Sequence, residues 1–118
     1  MSAPRQYSWH VDAAERTARA EFKDRELSLE KVARRLRISR RHLARLFRSE
    51  VGVPFHSFAI GLRMEGAAAA LLEDLNRPVK HVALEFGSRD TASFDRDFRS
   101  HKGTTPTLWR QAFWPPGI

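Results

Sequence analysis

Apolar residues recur at steps of three and four along almost the whole chain, which is the spacing of one face of an α-helix. No stretch keeps the alternation of a half-buried strand, and the sequence contains no Asn-Gly hairpin signal. Ser, Gly and Pro residues divide the pattern into seven segments of helical spacing. The pattern therefore predicts an all-α fold of about seven helices.

Residues that favour helix starts place these helices along the chain. Ser28 and Ser39 are good N-caps for the second and third helices, and Pro54 fits the first position of the fourth. The apolar stripe of the fourth helix is predicted to be Phe55, Phe58, Leu62, Ala69 and Leu72, with an end near Asn76. The predicted starts of the later helices are Pro78, then Asp90 or Thr91, and then Thr105-Pro106.

Two glycines, Gly61 and Gly66, lie inside the predicted fourth helix. Each costs a helix about 1 kcal/mol relative to alanine. Close packing against a neighbouring helix is the favoured explanation for both. The alternative is that the fold simply tolerates a weaker helix at these positions.

The chain also resembles itself. Val32-Ala33 returns as Val82-Ala83, 50 residues later, and the segment 42–48 returns as 93–99, 51 residues later. The extra residue falls in the turn between the matched segments, where loops tolerate insertions. A small alanine before each turn and two large apolar residues after it are what two helices crossing at a tight turn require. The repeat predicts two helix-turn-helix units, near residues 28–49 and 78–101.

The excess of basic residues indicates the class of ligand that this fold binds. The chain has 21 Lys plus Arg against 14 Asp plus Glu, a formal charge of +7, which is typical of proteins with polyanionic partners. Seven arginines and no acid lie between residues 34 and 48. Alone, such a run is usually a solvated helix face. On the outer side of a helix-turn-helix it indicates DNA binding, because the major groove admits one helix and Arg is the commonest reader of guanine there.

Other functional classes find little support. The absence of cysteine excludes disulfides and thiolate metal sites, and the five histidines include no i,i+4 pair, so no metal or cofactor is expected. No nucleophile elbow or phosphate-binding loop indicates an enzyme. No apolar stretch approaches the roughly 20 residues of a membrane span. A membrane-surface role ranks below DNA binding, because a turn interrupts the basic amphipathic segment.

The same residues resemble a known family, the DNA-binding domain of AraC/XylS regulators. The first half is matched by Ser28-Leu29, Val32-Ala33, Ile38-Ser39, Leu43, Leu46-Phe47, Gly52, Phe55, Phe58, Leu62-Arg63, Ala67 and Leu71-Leu72. The second half is matched by Val79, Val82-Ala83, Phe86-Gly87, Phe94, Arg96, Phe98-Arg99, Gly103, Thr105-Pro106 and Trp109-Arg110. The resemblance covers about residues 11–112 and implies a bacterial transcription regulator with two homeodomain-like subdomains joined by a long central helix.

The resemblance implies a division into subdomains over 8–52 and 77–113, a linking helix over 53–76, and tails over 1–7 and 114–118. A linking helix of about 20 residues would span about 30 Å. That length is close to the roughly 34 Å of one DNA turn. The length is thus consistent with what the resemblance implies, namely two recognition helices in two successive major grooves of double-stranded DNA.

The family's DNA-contacting positions carry over residue by residue. The expected base-reading residues are Arg41, Ala44, Arg45 and His42 in the first unit and Thr91, Ala92, Asp95 and Arg96 in the second. For His42 an equal alternative is packing beside the turn. The expected phosphate contacts are Arg40, Arg48, Arg89 and Arg99, together with helix N-termini at Ser28, Ser39 and Val79.

Several departures from the family pattern make the two halves unequal. Arg37 replaces the usual turn glycine, and a left-handed conformation there costs an arginine roughly 1 kcal/mol. Ser88 and Lys102 stand where the family usually has phenylalanine. Three aspartates, at 90, 95 and 97, bring negative charge to the second recognition helix. The first unit is therefore expected to supply most of the DNA affinity.

The resemblance also implies partners and a location. Transcriptional activation, contact with RNA polymerase and a place at the bacterial nucleoid in the cytoplasm are expected, with no membrane and no small-molecule ligand for this domain. The isolated domain is expected to be a monomer. The alternative is that the chain is the C-terminal module of a larger ligand-responsive regulator.

Overall fold

The computed structural model describes residues 7–113, and this part of the chain forms seven α-helices without a β-strand. The helices are α1 (Trp9–Glu21), α2 (Leu29–Leu36), α3 (Arg40–Val51), α4 (Phe55–Glu73), α5 (Val79–Glu85), α6 (Thr91–Lys102) and α7 (Pro106–Ala112). The predicted all-α fold is therefore confirmed. The predicted tails lie outside the described residues, apart from Tyr7.

The predicted N-caps are present in four helices. The side-chain oxygen of Ser28 accepts the backbone N–H of Lys31 at 3.2 Å, and that of Ser39 accepts the N–H of His42 at 3.0 Å. Asp90 and Thr105 cap α6 and α7 in the same way. Each cap satisfies a donor that the first turn of a helix leaves unpaired.

Two boundaries of α4 differ from the prediction. Pro54 precedes the helix instead of occupying its first position, and its carbonyl accepts the N–H of Phe58 at 3.0 Å. The helix ends at Glu73, three residues before the predicted Asn76. An Asx turn follows, in which Asp74 Oδ1 accepts the N–H of Asn76 at 3.0 Å, and this side-chain bond competes with helix continuation.

The described residues divide into two compact units. The first unit comprises residues 7–21 and 26–59, and the second comprises residues 22–25 and 60–113. The division falls inside α4, which contributes residues to both units. The predicted separate linking segment over 53–76 stays a prediction.

The core of the first unit is built around Phe47 of α3. Its ring, fully buried, makes edge contacts with the rings of Phe55 and Phe58 at centroid distances of 5.3 and 5.5 Å. Such aromatic pairs contribute about 0.5–1.5 kcal/mol each beyond the area they bury. The other buried apolar residues of this unit are Val11, Ala14, Ala18, Val32, Ala33, Leu43 and Ala59.

The second unit has its own core and a clasp at its C-terminal end. Its largest buried residues are Met64, Leu71, Phe86, Phe94 and Phe98. The indole N–H of Trp109 donates to the carbonyl of Ala68 at 3.1 Å, and the guanidinium of Arg110 donates to the carbonyl of Leu71 at 2.9 Å. These bonds fasten α7 to α4 and supply partners for carbonyls near the end of α4.

The predicted apolar stripe of α4 is correct at Phe55 but wrong at Ala69, which is exposed. Phe58, Leu62 and Leu72 are only half-buried. The deeply buried positions are instead Ala59, Met64, Ala67, Ala68, Ala70 and Leu71. The segment 67–72 is a continuous apolar run, and such a run carries no periodicity from which the buried face could be identified.

The two glycines of α4 have different surroundings. A Cβ atom at Gly66 would lie 2.6 Å from the ring of Phe86 and 3.3 Å from the ring of Phe22. A Cβ atom at Gly61 would meet only the ring of His101, at an ordinary 3.6 Å. Close packing is therefore confirmed at Gly66 and wrong as an explanation of Gly61.

We expect alanine to have opposite effects at these two glycines. Gly61→Ala raises the free energy of unfolding by up to about 1 kcal/mol, because it improves helix propensity without a clash. Gly66→Ala lowers it, because overpacking of about 1–3 kcal/mol exceeds that gain. Chemical denaturation of both variants checks this, and stabilisation by both would contradict it.

Candidate nucleic-acid interface

In the first unit, α2 and α3 meet at a tight turn that exposes the N-terminal end of α3. Arg37 closes α2 in the left-handed conformation, with φ 58° and ψ 40°. The next residue, Ile38, donates its N–H to the carbonyl of Ala33 at 3.1 Å. Ala33 is buried and has no bulk beyond Cβ, so α3 can approach α2 closely. This is the helix-turn-helix geometry that the repeat predicts.

One face of α3 is buried and the opposite face is basic. Leu43 and Phe47 are fully buried, and Ala44 is half-buried. The exposed predicted site residues of this helix are Arg40, Arg41, His42, Arg45 and Arg48. Residues 41, 45 and 48 follow one another at helical spacing and therefore share a face. His42 is exposed, and its choice between facing the groove and packing beside the turn stays a prediction.

The seven arginines between residues 34 and 48 fall into two groups. Arg34 and Arg35 form ion pairs with Glu30 and Glu21 at 3.5 and 2.8 Å. Within residues 7–113 no acidic partner is found for Arg37, Arg40, Arg41, Arg45 and Arg48. The unpartnered group runs from the C-cap of α2 along α3 to its last turn, and we call these five residues the arginine patch.

Two members of the arginine patch occupy positions that are unfavourable for a cation. The N-terminal end of a helix carries a partial positive charge, so cations in the first turn are unfavourable. Arg40 and Arg41 occupy the first turn of α3, which contains no acidic residue. Four arginines and Glu50 give α3 a formal charge of +3. Such an arrangement favours an anionic ligand, which would relieve the repulsion between the arginines.

The second unit presents a similar helix pair with a weaker charge. Gly87 has a φ of 86° at its turn, and α6 begins after Asp90. The predicted site residues that are exposed here are Arg89, Thr91, Ala92, Asp95, Arg96 and Arg99. Val79 is half-buried at the first position of α5, and Ser28 is half-buried as the N-cap of α2.

The three aspartates of the second unit have different surroundings. Asp90 Oδ1 accepts the N–H of Ser93 at 2.7 Å, and this bond, aided by the charge of Arg96, lowers the pKa of Asp90. Burial lowers the pKa of Arg63, while the charges of Asp24 and Asp97 raise it, so Asp97 supports a half-buried cation. Asp95 is exposed and has no hydrogen bond or ion pair within residues 7–113. Asp95 alone therefore adds an uncompensated negative charge to the outer face of α6.

Many cations of the second unit are engaged inside the fold. Arg63 donates to the carbonyls of Phe22 and Asp24 at 2.6 and 3.0 Å, and Arg110 donates to those of Leu71 and Asp74. Glu85 pairs with Lys23 and Arg77, which lowers the pKa of its carboxyl group. These cations hold segments of the unit together and add little to an outward-facing positive surface.

Lys102 shows how the fold accommodates the loss of an aromatic residue before Gly103. Its ammonium group lies 2.6 Å from Glu65 and 5.3 Å from the centroid of the Trp109 ring. Only 17% of its side chain is exposed. The aliphatic stem thus covers apolar surface while the charged end finds a carboxylate and an aromatic face.

Comparison with known proteins identifies this arrangement. A family model described as a helix-turn-helix domain matches residues 32–112. The HTH-type transcriptional regulator YfiF of Bacillus subtilis is 37% identical over 87 residues, which are 74% of this chain and 27% of YfiF. A probable AraC family transcriptional regulator from Rhodopseudomonas palustris superposes with a TM-score of 0.82 at 26% identity, covering 92% of this chain and 100% of that one. The chain belongs to the AraC family of helix-turn-helix proteins.

A second AraC-type structure was solved with its ligand. The DNA-binding domain of AdpA in complex with a target DNA superposes with a TM-score of 0.76 at 28% identity, covering 87% of this chain and 91% of that domain. The present chain spans between 11% and 30% of the length of the first curated relatives it matches. It is a DNA-binding domain of the type found in transcription regulators.

Metal sites and membrane-spanning helices are not found in the described part of the chain. Among residues 7–113 no group of three acidic, His or Cys side chains is arranged to hold a metal ion. No helix in the described part of the chain is long and apolar enough to cross a membrane. The base and phosphate contacts of individual residues stay predictions, and Arg37 is a member of the arginine patch that the expected site residues do not include.

We expect two arginines of this AraC-type domain to differ sharply in their effect on stability. Arg45→Ala changes the free energy of unfolding by less than about 0.5 kcal/mol, because the side chain is exposed and unpartnered. Arg110→Ala lowers it by about 1.5–3 kcal/mol, because two charge-assisted bonds to carbonyls are lost. Urea denaturation of both variants is the measurement. Equal destabilisation would show that Arg45 also belongs to the structural framework.

Proposed function

We propose that this AraC-type domain binds a double-stranded DNA site in which α3 enters one major groove and α6 enters the next, and that it regulates transcription from that site. The arginine patch is the observation that carries the proposal. It combines an exposed helix of suitable diameter with cations that have no acidic partner among residues 7–113. The similarity to AdpA, solved in complex with a target DNA, supports the same ligand class.

The exposed face of α3 suggests a role for each side chain. Arg41 and Arg45 can each donate two hydrogen bonds to the O6 and N7 atoms of a guanine. Ala44 lies between them in sequence and can contact a thymine methyl group, while His42 reaches the neighbouring base edge. Arg40 and Arg48, at the two ends of this face, bind phosphates. The N-termini of α2 and α3, at Ser28 and Ser39, offer backbone N–H groups to further phosphates.

The second recognition helix has a less favourable surface for DNA. Thr91, Ala92, Asp95 and Arg96 take the base-facing positions, and Arg89 and Arg99 bind phosphates. The charge of Arg96 also acts on Asp90, and Asp95 is unpaired. A carboxylate at the groove face accepts a hydrogen bond only from a base with an exposed amino group, such as cytosine N4. On other sequences Asp95 repels the phosphates, so α6 adds modest and sequence-dependent affinity.

The proposal extends to the mode of regulation and the partners of the protein. We infer that it activates transcription and contacts RNA polymerase, as the AraC family resemblance implies. The alternative is that this domain is the C-terminal module of a larger ligand-responsive regulator; the matched residues span 27% of YfiF and 65% of MarA. As an isolated domain it acts as a monomer on DNA.

Replacing one arginine in each recognition helix tests the proposal. On a duplex with a selected site, Arg45→Ala weakens binding by about 10- to 100-fold, and Arg96→Ala by less than about fivefold.

Salt dependence tests the phosphate contacts of the wild-type domain. With roughly five to eight phosphates neutralised, log K falls against log[salt] with a slope of about −5 to −7. Fluorescence anisotropy at several salt concentrations measures both quantities.

Two results would contradict this proposal in different ways. A flat salt response would exclude duplex DNA as the main ligand. Equal losses for the two variants, or a larger loss for Arg96→Ala, would show that the first unit is not dominant. Arg16→Gln, a change on the exposed side of α1, serves as a control for the general loss of a positive charge.

A further inference from the structure

Arg37 has an unfavourable backbone conformation for its residue type. Four residues among 7–113 have a positive φ, and three of them are glycines, namely Gly52, Gly87 and Gly103. Arg37, with a φ of 58°, is the one that carries a side chain. L-residues avoid this region because Cβ approaches the backbone. A conformation of this kind in a side-chain-bearing residue is a reason to look for a function.

The turn itself explains the conformation but not the arginine. Arg37 donates its backbone N–H to the carbonyl of Arg34 at 3.2 Å, and Ile38 donates to that of Ala33 at 3.1 Å. These are the two bonds of a helix-ending left-handed turn. Both use backbone atoms only. Glycine would form the same bonds without the steric cost. A positive charge at the C-terminal end of α2 gains a small favourable interaction with the helix dipole, but for an exposed side chain this gain does not exceed the steric cost of the left-handed conformation.

The internal repeat provides a comparison within the same molecule. Gly87 stands 50 residues after Arg37, at the matching position of the second turn, with a φ of 86°. Its N–H donates to the carbonyl of Leu84 at 3.3 Å, and that of Ser88 donates to Ala83 at 3.0 Å, which reproduces the bonds of the first turn. The fold therefore uses glycine where this turn occurs a second time. A Cβ atom at Gly87 would also lie 3.1 Å from the carbonyl oxygen of Lys23, so glycine is required there on two grounds.

The side chain of Arg37 has no role inside the described structure. It is exposed, and no hydrogen bond or ion pair connects it to another residue among 7–113. It belongs to a patch with four further arginines that have no acidic partner within residues 7–113. Backbone strain thus opposes an arginine at this position. A ligand that carries negative charge would offset that cost.

We propose that Arg37 binds a phosphate of the DNA backbone at the edge of the groove that receives α3, and that this contact accounts for a strained arginine in the turn. The position favours a phosphate over a base, because Arg37 precedes the N-cap Ser39 and lies outside the recognition helix. Guanidinium groups bind phosphate oxygens through two parallel N–H bonds. The inference rests on the proposed function, since it takes duplex DNA as the ligand.

The variant Arg37→Gly separates stability from binding. Its thermal midpoint is higher than that of the wild-type domain, because glycine removes the strain. Its affinity falls roughly tenfold on both a selected and an unrelated duplex, because phosphate contacts carry no sequence information. The slope of log K against log[salt] becomes less negative by about 0.9. Calorimetry and anisotropy titrations measure these opposite changes.

Two further variants serve as controls. Arg37→Lys keeps the charge and the strain, so its thermal midpoint and its salt slope stay close to those of the wild-type domain. Arg37→Asn tolerates the left-handed conformation without the charge, so it binds as weakly as Arg37→Gly. Arg16→Gln again controls for the removal of one exposed charge and leaves the slope unchanged.

The inference and the proposed function fail in distinguishable ways. Unchanged affinity and salt slope in Arg37→Gly, with salt-dependent binding by the wild-type domain, would overturn the phosphate contact alone. A lower thermal midpoint in both Arg37→Gly and Arg37→Asn would also overturn it, because the fold itself would then favour the arginine. Absence of salt-dependent duplex binding by the wild-type domain would overturn both.

Discussion

The close packing of one short helix on the next across a left-handed turn is the constraint on which the rest of the domain depends. In the first unit this packing needs a small residue at Ala33, a left-handed residue at position 37 and large buried side chains at Leu43 and Phe47. Once the inner face of α3 is fixed in this way, its outer face is left to solvent. The fold therefore creates a rigid, exposed helix, and the chemistry of that helix is decided by residues that do not contribute to the core.

The distribution of charge follows from this separation between framework and surface. In the second unit several cations donate to backbone carbonyls or carboxylates and so contribute to folding. In the arginine patch of the first unit no such partner is found within the described residues. Similar residue types thus serve stability in one half and are available for a ligand in the other. This difference is the physical basis for expecting the two units to contribute unequally to DNA affinity.

Features that depend on local sequence were predicted well. The N-caps at Ser28 and Ser39 involve residues within three positions of one another, so the local sequence indicates them. The left-handed turn at Arg37 was expected from the family resemblance, because the family usually has glycine there. The resemblance to the AraC family added the order of the elements, and the family match and the superposed structures confirm it.

Features that depend on distant partners could not be predicted in the same way. Gly66 is required because Phe86 packs on it, and nothing in the sequence near Gly66 distinguishes it from Gly61. Arg35 is paired through Glu21, 14 residues away, whereas Arg41 in the same basic run is not. The buried face of α4 was missed because an uninterrupted apolar segment has no periodicity. Of the three aspartates of the second unit, Asp90 is recognisable locally as an N-cap, whereas the support that Asp97 gives to Arg63 depends on a distant partner.

In vitro selection of binding sites from random duplexes tests most directly whether the two helix-turn-helix units contribute unequally to DNA affinity. We expect one strongly specified box and a second, weakly specified box about one helical turn away. Selection repeated with Arg45→Ala should lose the strong box, which assigns it to α3. Two equally specified boxes, or a strong box that persists in Arg45→Ala, would contradict the account.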